Sequence, residues 1–237
     1  MKSIKSIVAL FVLSLAFTTV SCDNEPVDPA LEIGGGGSSS GDYWPTAINN
    51  EWLMERDGVA LDPLKIVGTG NFGGQTYYKF APQSGSGTST SGTVTNWLNK
   101  SNGVYKLKTD DINVNAGGFS GTQTGYEFII LKDNIAVGQS WSGTYTSTTT
   151  YTGIPSITLT TNYTGTILAK NVTATVDGET YNDVIKVSLV QNASMAGAPA
   201  TVVNTEYWFA KNVGVIKSIS NDAGNSYESI LVDYTLF

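Results

Sequence analysis

The sequence predicts an all-β fold, either an antiparallel β-sandwich or an open, curved β-barrel. Three observations carry this expectation. Apolar residues recur with a period of two over most of residues 43–237, as in strands with one buried face. Glycine supplies 26 of the 237 residues, many of them in turn signals between those runs. No apolar stripe with helical spacing and caps extends beyond two turns.

In chain order, the first strand is expected within residues 46–55, with a short helix as the alternative; Trp52, Met54 and Arg56 alternate with Leu53 and Glu55. Asp57-Gly58, Gly73-Gly74 and Asp177-Gly178 tolerate the positive φ that tight hairpins need. Asn162, Asn171 and Asn212 are weaker signals of the same kind, and residues 222–225 read as a last hairpin tip. The threonine-rich stretches 147–151 and 158–164 favour strands, because β-branched side chains fit a pleated surface. Ile185, Val187 and Leu189 alternate with Val184, Lys186 and Val190, while Ile230, Val232, Tyr234 and Leu236 form one face of the final segment. Residues 74–80 and 178–184 both place a glycine turn before Thr-Tyr and a strand. Shared hairpin chemistry accounts for this more simply than duplication.

Ahead of the strands, Lys2 and Lys5 precede an apolar run over residues 7–17, the pattern of a secretory signal peptide. The run is shorter than the roughly 20 residues that span a bilayer as a helix. It leads into Thr19-Val20-Ser21-Cys22, which resembles a bacterial lipoprotein processing site. That resemblance implies cleavage before Cys22 and acylation there, with palmitate among the chains, so that lipid anchors the protein to a membrane. Cys22 is the only cysteine, which leaves none for an intrachain disulfide; a chain of this size buries a sufficient core without one. Residues 23–42 contain Asp23, Glu25, Asp28, two prolines and Gly34-Gly35-Gly36-Gly37-Ser38-Ser39-Ser40-Gly41, in which four successive glycines are costly to order and the serines add no apolar anchor. The expected division is a signal peptide over 1–21, a lipidated tether over 22–42 and a single β domain over 43–237.

The acidic residues after Cys22 resemble the sorting signals of Bacteroidota lipoproteins, which implies an outer-membrane location on either the periplasmic or the surface side. Tyr43-Trp44-Pro45 ahead of Asn50-Glu51-Trp52, Val137-Gly138-Gln139-Ser140-Trp141, and residues 207–217 around Tyr207-Trp208-Phe209 resemble segments of cell-envelope lipoproteins of Bacteroidota. The resemblance implies a shared antiparallel fold. It brings no catalytic assignment, since that class has no agreed active-site motif to place here.

Composition narrows the chemistry. The formal charge is −7, and loss of residues 1–21 would remove two lysines and make the chain more acidic still, so it is repelled by nucleic acid. There is no histidine, which removes the commonest general base, the commonest transition-metal ligand and the Ser-His-Asp and Cys-His arrangements. No glycine-rich loop ends in Gly-Lys-Ser or Gly-Lys-Thr. No metal or cofactor is expected. Asp222, Gly224 and Asn225 have the composition of a calcium loop without EF-hand spacing and read as a turn. Carboxylates remain. Asp110 and Asp111 are adjacent, point to opposite faces of a regular strand and read as a turn or solvated edge. Glu127 and Glu206 open strongly apolar strands and are the candidate pair for a glycoside hydrolase.

Aromatic residues offer the best binding hypothesis. Tyr43-Trp44, Tyr77-Tyr78 and Tyr207-Trp208-Phe209 put rings on both faces of their strands, with Tyr207 and Phe209 on one face and Trp208 on the other. Trp141, Tyr207, Trp208 and Phe209 are the candidate binding aromatics, able to stack on sugar rings where exposed and otherwise packed between covered layers. The leading expectation is a non-enzymatic cell-envelope lipoprotein that binds a glycan or another envelope component. A periplasmic carrier of lipid or another hydrophobic ligand, a carboxylate-dependent glycoside hydrolase and a purely structural role are the alternatives.

Overall fold

A computed structural model of the chain describes residues 38–84, 93–116, 118–222 and 224–237. The expected signal peptide, Cys22 and the expected tether up to residue 37 lie outside the described residues. Within them there are strands and turns and no helix. The strands are β1 (Glu51–Arg56), β2 (Val59–Ala60), β3 (Leu64–Phe72), β4 (Gln75–Phe80), β5 (Gln83–Ser84), β6 (Thr93–Val94), β7 (Asn96–Ser101), β8 (Val104–Thr109) and β9 (Ile112–Ala116). They continue with β10 (Phe119–Gln123), β11 (Tyr126–Lys132), β12 (Ser140–Tyr151), β13 (Ile154–Val176), β14 (Glu179–Ser194), β15 (Thr201–Ala210), β16 (Gly214–Asp222) and β17 (Asn225–Thr235).

All but β5 and β6, which pair with each other, join one antiparallel sheet in the order β11-β8-β7-β4-β3-β1-β17-β16-β15-β14-β13-β12-β10-β9, with β2 beside β1. Of the two expected architectures, the structure adopts the open, curved sheet. Strand β13 displays the period that drives it: Leu159, Thr161, Tyr163, Gly165 and Ile167 are buried, while Thr158, Asn162, Thr164 and Leu168 between them are exposed.

The glycine turns form where the sequence places them, and Asn171 and Asn212 adopt positive φ of 55° and 60°. Asn162 does not turn the chain. It sits in mid-strand opposite Thr144 and Asn192, and its Oδ1 accepts a hydrogen bond from Thr144 Oγ1 at 2.7 Å. The first strand begins only at Glu51, after a turn with Asn49 at φ 74°. In β17 the buried face is Ser229 and Leu231, and Tyr234 is exposed. The expected face is displaced because a bulge opposite Leu53 and Met54 takes the pairing from Asp233 to Leu231 and skips Val232.

The sheet curls until its edge strand β11 meets β12 and β13, but no backbone ladder closes the gap. Side chains close it. Trp141 of β12 lies across Gly165 of β13, its cross-strand partner, and Tyr163 of β13 lies across Gly143 of β12. A Cβ on either glycine would fall inside the facing ring. Laid flat in this way, the two rings reach the free edge of β11: Trp141 Nε1 donates to the Ile129 carbonyl at 3.0 Å, and the Ile129 N–H donates to the Tyr163 hydroxyl at 3.2 Å. Both edge groups of Ile129 are thereby satisfied, where an unpaired buried one costs about 1–3 kcal/mol. Tyr126 and Phe128 of β11 then stack on Tyr145 of β12 at centroid distances of 4.7 and 5.9 Å.

One end of the curled sheet is plugged by the entering chain. The carboxylate of Asp133 is fully buried and accepts hydrogen bonds from Ser39 Oγ, the Ser40 N–H and the Tyr105 hydroxyl at 2.8–3.2 Å. Residues 39–42, at the end of the expected tether, are thus bonded into the domain. Asp42 also pairs with Lys100 at 2.6 Å. Trp44 packs against Trp52, Phe80 and Phe209, with centroids 5.7–6.5 Å away. Trp52 Nε1 donates to the Val213 carbonyl at 2.6 Å. The next residue, Gly214, has φ 122°, and a Cβ there would stand 3.0 Å from that indole nitrogen. The far end of the fold carries a smaller core of Ile112, Val114 and Tyr151.

Substitution Gly165→Ala forces the Trp141 indole off its cross-strand partner. It is expected to lower unfolding free energy by about 1–3 kcal/mol in urea titration, whereas Leu168→Ala on the outer face of the same strand stays within about 0.5 kcal/mol of wild type.

Candidate ligand groove

Strands β3, β4, β7, β8 and β11 share an outer surface whose composition is set by the two-residue period. Tyr78 and Phe80 of β4 join the core, so Tyr77 and Lys79 face the other way. The register then lines up Lys79, Trp97, Lys108 and Glu127 in one row across four strands. Gly70, the partner of Tyr77, leaves space into which Trp97 leans; a Cβ there would lie 2.8 Å from the indole.

The residues in and beside that row are joined pairwise. Phe72 stands edge-on to Trp97 and Tyr77, with ring centroids 5.0 and 5.2 Å away. Lys108 Nζ lies 4.4 Å from the Phe72 ring centre and 2.7 Å from Asp110 Oδ1, while Asp110 Oδ2 accepts the Trp97 indole N–H at 2.8 Å. The Tyr77 hydroxyl donates to Glu127 Oε2 at 2.5 Å, and Lys106 Nζ stands 3.5 Å from Glu127 Oε1. Phe72, Tyr77, Lys106, Lys108, Asp110 and Glu127 wall an open groove of about 860 Å³. Asp111 and Tyr126 also line it, and Asp111 Oδ1 accepts the Gly125 N–H at 2.8 Å.

The electrostatics follow from these contacts. Burial alone would raise the Asp110 pKa. Hydrogen bonds from Lys108 and Trp97, with the charges of Lys108 and Lys79, outweigh it and hold the carboxyl below its ordinary 3.8. Burial, reinforced by the hydrogen bond to Glu127 and by its charge, pushes the Tyr77 hydroxyl well above 10, so it remains a proton donor.

The carboxylates singled out from sequence divide. Glu127, Asp110 and Asp111 line this groove. Glu206 belongs to a separate cluster on the outer face of β15, where its Oε1 accepts the Trp208 indole N–H at 2.5 Å. The two glutamates considered for hydrolysis are therefore not brought together in one of these arrangements. Asp222 ends β16 and Asn225 begins β17, so the segment considered for calcium is a hairpin turn.

The candidate aromatics are spread over both faces. Phe209 is fully buried, and Trp141 is buried with its N–H committed to Ile129, so neither ring is presented to an external ligand. Tyr207 turns to the inner side, 6.0 Å from Phe209, and burial pushes its hydroxyl up to about 12. Trp208 faces outward, with Lys186 Nζ 3.5 Å from its ring centre and Lys217 Nζ at 5.0 Å. Phe72, Trp97, Lys106 and Lys108 were not singled out by sequence. Their single signal was alternation, and what gathers them is pairing across strands that sequence does not reveal. A second depression of about 520 Å³ lies beside the β13–β14 hairpin, with Glu179, Asp183, Lys211 and Asp233 among its walls.

No protein-family profile matches the chain, and no curated protein sequence matches it. Among solved structures, a candidate lipoprotein from Parabacteroides distasonis ATCC 8503 is similar over 82% of this chain and 99% of its own, with a TM-score of 0.53 and 11% identity. At that identity the likeness concerns the fold. A candidate exported protein from Bacteroides fragilis NCTC 9343, described as having a YmcC-like fold, aligns over 83% of this chain and 100% of its own at a TM-score of 0.38 and 7% identity.

A carboxyl whose folded pKa is depressed stabilises the fold above its ordinary value and loses that contribution as pH falls through the folded value. The stability difference between wild type and Asp110→Asn is therefore expected to be full near neutral pH and to shrink below pH 3.8, read from urea midpoints across an acid series.

Proposed function

We propose that this chain is a cell-envelope lipoprotein whose β domain binds a glycan, without catalysis, in the groove between Phe72 and Glu127. The envelope assignment draws on the Lys2–Lys5 start, the apolar run and the Thr19-Val20-Ser21-Cys22 sequence, together with the fold shared with a candidate lipoprotein of Parabacteroides distasonis. Acyl chains on Cys22 would anchor it, in an outer membrane on the reading of the acidic residues that follow.

The observation that carries the binding proposal is the pairwise arrangement around Phe72. An aromatic ring and a set of donors and acceptors, each already oriented by a neighbour, stand on five hydrogen-bonded strands. Such a surface binds with little ordering cost. The same pairing weighs against hydrolysis. A general acid needs a raised pKa, and Asp110 is held ionised by Lys108 and Trp97. A hydrophobic-ligand carrier is supported less well, because Tyr43, Trp44, Trp52, Phe80 and Phe209 occupy the core at the plugged end.

The test uses the full-length lipoprotein purified in detergent and run by affinity electrophoresis through gels containing polysaccharides. Phe72→Ala is expected to weaken retardation about tenfold, the value of one aromatic contact. Trp208→Ala should leave it unchanged. A folded Phe72→Ala protein retarded as strongly as wild type would remove the groove from the proposal.

A further inference from the structure

We infer that the groove, on the reading that it is a glycan site, takes an uncharged sugar chain rather than a uronic, sulfated or amino-sugar polymer. The inference rests on how its charges are matched. Lys108 is held by Asp110 at 2.7 Å, and Lys106 faces Glu127 at 3.5 Å. Asp111 takes a backbone N–H. Each lysine of the lining has a carboxylate near it, and with Lys79, whose charge also acts on Asp110, the three carboxylates are matched by three lysines.

An anionic chain entering this groove would have to draw a lysine from its carboxylate and then meet that carboxylate uncompensated. It would also meet the field of an acidic protein with formal charge −7. Hydroxyl groups meet no such conflict. An ammonium has three donors and a carboxylate has several lone pairs, so each pair that is already formed keeps capacity for a sugar hydroxyl, which both donates and accepts. The longer Lys106–Glu127 separation leaves the most room for a hydroxyl to bridge the two. Phe72, half-buried, supplies apolar surface for the C–H face of a ring that carries no charge, backed by the buried ring of Tyr77. A cationic amino-sugar chain would find each carboxylate already matched and would be repelled by Lys106 and Lys108 of the wall and by Lys79 beside them.

The experiment measures binding of the full-length lipoprotein in detergent to neutral polymers (xylan, mannan, dextran), to polygalacturonate and heparin, and to chitosan. Each is run at low salt and at about 0.5 M sodium chloride, where interactions between exposed charges are screened. Expected is binding to at least one neutral polymer that changes by less than about twofold with salt, and a loss of about tenfold in Lys106→Ala. Preferential binding of a charged polymer, abolished by salt, would overturn the inference while leaving the glycan reading in place. Absence of binding to every polymer would overturn both.

Discussion

The fold depends on two aromatic rings laid over two glycines. An antiparallel sheet this long has to end somewhere, and a free edge invites pairing with other chains. The edge at β11 is instead finished by Trp141 and Tyr163, which reach it because Gly165 and Gly143 leave their own cross-strand positions empty. The indole N–H and the phenol oxygen replace the two backbone partners that Ile129 would have had in a closed barrel. Closure is thus made by side chains at one residue, and the aromatic stack of Tyr126, Phe128 and Tyr145 seals the gap around it.

This closure also places the groove. Glu127 lies two residues before Ile129 on the same strand, facing Tyr77 and Lys106. If β11 swung away from β12 and β13, that wall would move with it. The plugged end makes a complementary contribution. Asp133 follows β11 directly and binds the entering chain through Ser39 and Ser40, so the same strand is tethered at its C-terminal end. Between the two fixings β11 has little freedom, so the groove wall it carries is held in place.

Much of this was legible in the sequence, and the reasons for the rest are physical. Alternation and glycine turns identified the strand class, the hairpins at Asp57, Gly73 and Asp177, and the opposite facing of Trp208 against Tyr207 and Phe209. Alternation does not reveal a bulge, which is why the buried face of β17 is Leu231 rather than Tyr234. It does not distinguish an exposed ring from a buried one either. Trp141 and Phe209 read as candidate binding rings, yet the first is consumed by closing the sheet and the second by the contact with Trp44. Glu127 was visible as a carboxylate opening an apolar strand. Its partners Tyr77, Lys106 and Lys108 come from β4 and β8, and no local pattern predicts which strands pair.

The claim that side chains close the sheet at Ile129 is tested most directly by amide hydrogen exchange at that residue. Its N–H donates to the Tyr163 hydroxyl at 3.2 Å. The account predicts a strongly protected Ile129 amide in the wild-type protein and much faster exchange in Tyr163→Phe, with amides in the centre of β15 unaffected. A freely exchanging Ile129 amide in the wild type, or protection that survives Tyr163→Phe unchanged, would contradict it.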